Sequence, residues 1–453
     1  MRSVVKQGFL KPRSHSLKPG GDGWETAVLL AERWLATKAR VDALLEQLTP
    51  GLPPQERARA QHLFYGVVRW ADRLEAALAG LMARAPRTKV RAVLFVAGFE
   101  MLEAGAEPAK IVHHAVEKAK RLASAKEAGL VNAVARKLAA RLADDGALKT
   151  EDGGRMPEGG ALKPEDLAHR WSHPAWLVAR WEKQFGADAT RQLLEWNQQP
   201  APVYARWRSA DATPAFLAPT KWAGYFEVKA GHWDDVRQLA QAGALYLQDP
   251  STRLCIELLA PAANETILDA CAAPGGKSLF IADVMKTGRI VALDLPAADG
   301  ERDVRFERLK ENLTRVPSGV EVALMPGDLR QIAPKFFKEF NLPESYDAVL
   351  LDAPCSNTGV MRHRIDVKWR LQEGDIAKHA AQQLALLRAA ARLVREGGRL
   401  VYSTCSVDPA ENEQVVQQFI KHSRTPWKLE RHVLAYPWID GHDGAGAFLL
   451  RRG

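Results

Sequence analysis

The spacing of apolar positions changes along the chain, and the changes divide it. From residue 24 to about 145, apolar residues recur at helical spacing, as in Val28, Leu29, Trp34, Leu35, Val41, Leu44, Leu45 and Leu48. Pro50, Gly51, Pro53 and Pro54 interrupt the pattern as a loop would. A second stretch carries Leu63, Phe64, Val67, Trp70, Leu74 and Leu78. The run from Val93 to Phe99 is too short to span a bilayer and reads as a buried helix segment. An all-helical domain is therefore predicted over 24–145.

Residues 146–163 are dominated by glycine, proline and charge, which predicts a flexible linker and a domain boundary. Residues 164–245 are mixed and rich in tryptophan: Trp171, Trp176, Trp181, Trp196, Trp207, Trp222 and Trp233. Arg180, Arg206 and Arg208 are interleaved. Most of these tryptophans are expected in the core. Aromatics among arginines can also stack on unpaired bases, and Arg206, Trp207 and Arg208 are the first candidates for a small RNA-contacting subdomain. From 246 to 453, short apolar runs alternate with helical stretches. The runs are Thr266–Asp269, Arg289–Asp294, Val320–Leu324, Asp347–Asp352 and Gly398–Tyr402. This alternation predicts an α/β fold, Rossmann-like and doubly wound, with a mostly parallel sheet.

Charge adds a partner class. Lys plus Arg number 63 against 54 for Asp plus Glu, a formal net charge of +9, which favours an anionic partner such as nucleic acid. The four cysteines, Cys255, Cys271, Cys355 and Cys405, show no metal-ligand spacing and are too few for a disulfide framework. No metal is expected. Met1 to Gly23 lacks an apolar core run, so no signal peptide is read there, and a reduced, cytoplasmic setting without membrane is expected. A monomer is expected.

The segment Cys271-Ala272-Ala273-Pro274-Gly275-Gly276-Lys277 follows the first predicted strand and opens a helix. Small residues let the backbone turn sharply, and free N–H groups at a helix start attract an anion, here a cofactor carboxylate. The upstream glycine of a phosphate-cradling GxxxxGK[ST] loop is absent. Asp294 ends the second strand, where an acid can hold ribose hydroxyls. Asp328 follows the third and could accept from an adenine amino group. Asp352 ends the fourth. An isolated acid at a strand end is more often a turn or N-cap residue, but three beside a glycine loop point to binding.

Asp352-Ala-Pro-Cys355-Ser and Tyr402-Ser-Thr-Cys405-Ser each leave a strand directly. The two thiols should hang from one sheet edge, beside the cofactor. Thiols there suit methylation of cytosine carbon 5. A thiolate adding to carbon 6 makes carbon 5 nucleophilic, and the thiol is expelled after the carbon-5 proton leaves. Positive charge would favour the thiolate, and Lys277 and Arg362 are candidates for it. Asp352 is the candidate for protonating the ring near nitrogen 3. The residues alone leave open which thiol attacks.

These motifs, with Gln248-Asp249-Pro-Ser251 and Pro409-Ala-Glu-Asn-Glu413, resemble the RsmB/NOL/NSUN family of RNA cytosine-5 methyltransferases. The resemblance implies a class I methyltransferase fold over 246–453 and S-adenosylmethionine as cofactor. It implies cofactor binding by Cys271 to Lys277, Asp294, Asp328 and Asp352. It further implies that Cys405 attacks the base and that Cys355 assists release. The helical region resembles the NusB-like domain of the RsmB branch through Leu63-Phe-Tyr-Gly-Val-Val-Arg69, Ala115–Lys120 and Gly129–Val134. That implies ribosomal RNA of the small subunit as substrate. Alternatives are tRNA or another RNA, or a non-catalytic assembly factor on the same domains. The chain departs from the family's usual pattern in having Asn357 after Pro-Cys-Ser, where glycine is usual. It has Ile365-Asp366 before Lys368-Trp369, added residues at Pro296 to Gly300, and Asp443-Gly-Ala-Gly-Ala-Phe448 at the last strand.

Overall fold

The computed structural model describes residues 22–103, 107–147, 164–297, 303–332 and 334–453. The chain divides into two compact units, Met1–Ser172 and His173–Gly453.

The first unit is helical throughout its described residues. Its helices are Gly23–Thr37, Val41–Leu48, Pro54–Arg69, Ala71–Leu78, Thr88–Leu102, Pro108–Leu122, Ala125–Ala147 and Pro164–Arg170. Asp22 caps the first by accepting from Glu25 N at 2.9 Å, and Pro54 opens the third, where its missing N–H costs nothing. The helix Thr88–Leu102 is apolar on all sides and buries every residue from Ala92 to Phe99, as a central helix must. Gly66, in the Leu63-Phe-Tyr-Gly sequence, is where another helix meets it. A Cβ there would lie 2.1 Å from the Phe99 ring, so only glycine fits. The predicted linker begins inside a helix, since Ala125–Ala147 includes residues 146 and 147. Residues 148–163 lie outside the described residues. The helix Pro164–Arg170 belongs to this first unit, and Ser172 Oγ accepts from Asp72 N at 2.8 Å.

The second unit opens with two helices, Ala175–Phe185 and Ala187–Gln198. A four-stranded antiparallel sheet follows: β1 (Tyr204–Trp207), β2 (Leu217–Pro219), β3 (Tyr225–Val228) and β4 (Leu245–Leu247), in the order β2-β3-β1-β4. The larger sheet holds β5 (Glu265–Ala270), β6 (Gly288–Asp294), β7 (Val320–Pro326), β8 (Tyr346–Asp352), β9 (Val394–Thr404), β10 (Trp427–Ala435) and β11 (Ala445–Arg452). Its order is β10-β11-β9-β8-β5-β6-β7. The strands from β9 to β7 are parallel, and β11 and β10 add antiparallel. Five of the strands were legible as apolar runs. β10 was not, because its pattern of Lys428, Glu430 and Arg431 is that of an exposed edge strand.

Helices cover both faces. Leu268, Val291, Val349 and Leu400 point to one face and pack with Leu387 and Phe419. Ile267, Ile290, Leu350 and Val401 point to the other and pack with Ile256 and Ile281. Burial on both faces explains why the strands read as continuous apolar runs rather than alternating ones. The chain runs outward from β5 to β6 and β7, then returns to β8 and β9 on β5's other side. The reversal falls between β5 and β8, and the crevice at their C-terminal ends is where such sheets bind ligands.

The tryptophans of 171–233 depart from expectation. Trp181 is fully buried, Trp233 is 48% exposed, and the other five are half-buried. Arg206 and Arg208 are not presented to solvent. Both side chains are buried on Asp283, with Arg206 Nη1 and Arg208 Nε each 2.7 Å from its Oδ2. Arg206 also lies 4.2 Å from the Phe280 ring centroid. These arginines tie the small sheet to the cofactor-loop helix instead of awaiting a base.

Candidate active site

The loop after β5 makes its turn with left-handed backbone at Cys271 (φ 68°) and Gly275 (φ 98°). Gly275 caps the helix Gly276–Met285, whose first-turn N–H groups receive no side-chain cap. A Cβ on Gly276 would lie 2.6 Å from the Tyr246 ring, so this glycine permits a close approach. Asn312 Nδ2 donates to Pro274 O at 2.7 Å, and Ala273 N donates to Asp294 Oδ2 at 2.7 Å. The loop is thus fixed from the β6 side. Burial pushes the Asp294 carboxyl up from its ordinary range. Beneath the loop, Asp269 is fully buried and accepts from Ser278 Oγ at 2.5 Å. Its Oδ1 has no protein donor, and burial raises its carboxyl to about 7.

Asp328 stands after β7 as expected, and it also does what isolated acids do there. It caps the turn Leu329–Gln331 through Arg330 N at 2.9 Å and accepts from the Arg330 guanidinium at 2.6 Å. Those donors hold its carboxyl below the ordinary range. Asp352, at the end of β8, accepts from Lys277 Nζ at 2.6 Å and from Ser403 Oγ at 2.9 Å. Burial alone would lower the Lys277 ammonium. The Asp352 charge more than offsets it, and Lys277 sits above the ordinary lysine range.

The two thiols meet. Cys355 Sγ and Cys405 Sγ are 3.2 Å apart, across 50 positions of sequence. Cys355 is buried and Cys405 half-buried. The hydrogen bond with Cys405 and burial both push the Cys355 thiol well above its ordinary range. Cys271 and Cys255 are raised by burial, Cys255 to about 12. Arg362 is engaged elsewhere. Its guanidinium donates to Pro200 O at 2.7 Å and lies 4.2 Å from the Trp196 ring. Lys277 does interact electrostatically with Cys405.

One residue that sequence reasoning quoted but gave no role organises both cysteine loops. Glu411 is fully buried. Its Oε1 accepts from Ser356 N and Gln383 Nε2, each at 2.9 Å, and its Oε2 accepts from Ser406 Oγ at 2.6 Å and from Ser356 Oγ. Ser356 and Ser406 are the residues that directly follow the two cysteines. Asn412 adds a second anchor, accepting from Thr404 Oγ1 at 2.8 Å and donating to Ser406 O at 2.9 Å. A buried carboxylate with donors on every side is stable only when that set is complete.

Comparison with known proteins gives the lineage. A family model described as 16S rRNA methyltransferase RsmB/F matches residues 256–437, and one for the NusB family matches residues 25–140. A ribosomal RNA small subunit methyltransferase B from Sodalis glossinidius (strain morsitans) is 33% identical over 401 residues, spanning 83% of this chain and 84% of that protein. The protein of the same description from Klebsiella pneumoniae (strain 342) is 30% identical over 438 residues, or 90% and 93% of the two chains. The chain belongs to the RsmB/F family. Among solved structures, that of PH0851 covers 96% of this chain and all of its own, with a TM-score of 0.72 at 21% identity, a likeness of fold.

S-adenosylmethionine is the cofactor of this family, and the β5–β6–β8 edge fits it. The start of the Gly276–Met285 helix, which carries no side-chain cap, suits its carboxylate, and Asp294 suits ribose hydroxyls. Among the described residues no helix is long and apolar enough to cross a membrane.

Proposed function

We propose that this protein transfers a methyl group from S-adenosylmethionine to carbon 5 of one cytosine in small-subunit ribosomal RNA. The observation that carries the chemistry is the 3.2 Å contact between Cys355 and Cys405, at the sheet edge that holds the cofactor loop. RNA of the small subunit is taken from the relatives' description and from the NusB-family match, with the net charge of +9 in agreement. The cytoplasm is where such a substrate is met.

Cys405 attacks carbon 6 of the base. It is the more exposed thiol, and the raised Cys355 is kept protonated beside it. Cys355 then serves release, placed to take part when the carbon-5 proton is removed and the Cys405–carbon bond breaks. The bound cofactor supplies an electrophilic methyl group. Lys277 and Ser403 hold Asp352 in one orientation, so that its carboxyl can meet nitrogen 3 of the ring. Asp328 receives Arg330 donors on both oxygens and Gln331 Nε2 on one, and an adenine amino group would take the place of one of these donors. The base must be unpaired or opened, because carbon 6 is reached from the face of the ring.

Cys405→Ala abolishes methylation of in vitro transcribed small-subunit RNA, and retained full activity removes the nucleophile assignment. Cys355→Ala accumulates a protein–RNA adduct that survives denaturing electrophoresis. Bisulfite sequencing of RNA from cells with and without the protein identifies the position, and an unchanged ribosomal RNA pattern refutes the substrate.

A further inference from the structure

Asn357 stands two residues after Cys355 and has a left-handed backbone, φ 60°, a conformation that asparagine tolerates better than most residues. Its side chain turns back into the site. Nδ2 donates to Cys355 O at 2.8 Å, and Oδ1 lies 3.3 Å from Cys405 Sγ. The amide's orientation is dictated by this pair. A backbone carbonyl can only accept, so the nitrogen faces Cys355 O and the oxygen is left facing the sulfur. An oxygen in that place accepts an S–H, but to a thiolate it offers only repulsion.

We propose that Asn357 is a catalytic residue whose side-chain oxygen accepts the Cys405 S–H and holds Cys405 as a thiol in the resting site, before a base arrives. The proposal rests on the reading of Cys405 as nucleophile. The other groups around Cys405 are placed differently. The Lys277 ammonium is paired with the Asp352 carboxylate, Cys355 presents a thiol at 3.2 Å that can donate or accept, and the Glu411 carboxylate is enclosed by Ser356, Ser406 and Gln383. The Asn357 oxygen is a fixed acceptor at the sulfur, and so restrains the nucleophile until a base is in place.

The test is alkylation of the full chain by iodoacetamide from pH 5.5 to 10, without RNA or cofactor, with the Cys405 peptide read by mass spectrometry. The thiol proton passes to buffer, the sulfur–carbon bond forms and iodide leaves, so the rate follows the thiolate fraction. Asn357→Gly keeps the left-handed backbone without strain and removes the acceptor. Its labelling midpoint moves down by about one pH unit, with about tenfold faster labelling at pH 7. Asn357→Asp places a carboxylate beside the sulfur and moves the midpoint up by a similar amount. Matching thermal midpoints and unchanged labelling of Cys271 exclude partial unfolding as the cause of a shift. Coincident Cys405 midpoints in wild type, Asn357→Gly and Asn357→Asp overturn the proposal, as does an upward shift in Asn357→Gly. Failure of the Cys405 assignment is read separately, as methylation that survives Cys405→Ala.

Discussion

Replacing Glu411 by alanine removes the acceptor shared by the two cysteine loops, and the cost follows from its partners. Four donors lose it: Ser356 N, Ser356 Oγ, Ser406 Oγ and Gln383 Nε2. The two hydroxyls can turn to each other and to Thr358, since Ser356 Oγ lies 3.3 Å from Ser406 Oγ and Thr358 Oγ1 lies 2.9 Å from Ser406 Oγ. Gln383 keeps its bond to Pro354 O. The Ser356 N–H and the second Gln383 hydrogen have no such alternative. Two buried orphan donors at roughly 1–3 kcal/mol each give a loss of about 2–6 kcal/mol. Glu411→Gln should lose less than half of that, because it keeps one oxygen for the two N–H donors and the serine hydroxyls can rotate to accept. Hydrogen exchange at the Ser356 amide, with the thermal midpoint of the second unit, measures the effect. Loosening both loops should also lower methylation by about 10²-fold, the usual consequence of misplacing reacting groups by an ångström. An alanine variant with wild-type exchange at Ser356 and an unmoved midpoint would refute the claim that this carboxylate couples the loops.

Three further outcomes are expected. Asp269, with its carboxyl at about 7 against an ordinary 3.8, holds its proton when folded over a range in which the unfolded chain has released it. Its contribution is fully present below about pH 4 and declines as pH rises to about 7, by up to about 1.4 kcal/mol per pH unit; urea titrations of Asp269→Asn should lack that slope, and an identical slope would show that the group ionises normally. Asp283→Ala leaves the Arg206 and Arg208 guanidiniums buried without their carboxylate and should cost about 3 kcal/mol in denaturant unfolding, whereas a neutral result would mean that both arginines reach solvent. Gly276→Ala drives a methyl into the Tyr246 ring and should weaken S-adenosylmethionine by at least about tenfold in calorimetry, with Tyr246→Leu restoring part of the affinity; undiminished affinity would show that the loop has room to spare.

What the sequence revealed follows from the range of the interactions involved. Strands buried on both faces announce themselves as apolar runs, so β5 to β9 and the acids at their ends were legible. The small residues from Cys271 to Gly276 carried the turn in their own composition. The two thiols could be placed at one edge because the fold rule places strand ends there. Arg206 and Arg208 misled because arginine beside tryptophan looks the same whether it awaits a base or a carboxylate 75 and 77 positions away. Asn357 read only as a departure from a family pattern, since its meaning lies in two contacts, one of them 48 positions away. Glu411 sat in a quoted motif, but nothing local shows that four donors converge on it.

The shared anchor at Glu411 has an evolutionary consequence. Attack and release are chemically distinct steps, proposed for loops that are distant in sequence, and without a tie between them selection could adjust each independently. Because one carboxylate receives donors from the residue after each cysteine, a substitution in either loop is felt at the other. Mutations near Ser356 and Ser406 should therefore show epistasis in their effects on fitness, with changes tolerated in compensating pairs more often than singly. The surfaces that choose the RNA carry no such tie, and can diversify while the reacting pair stays as it is.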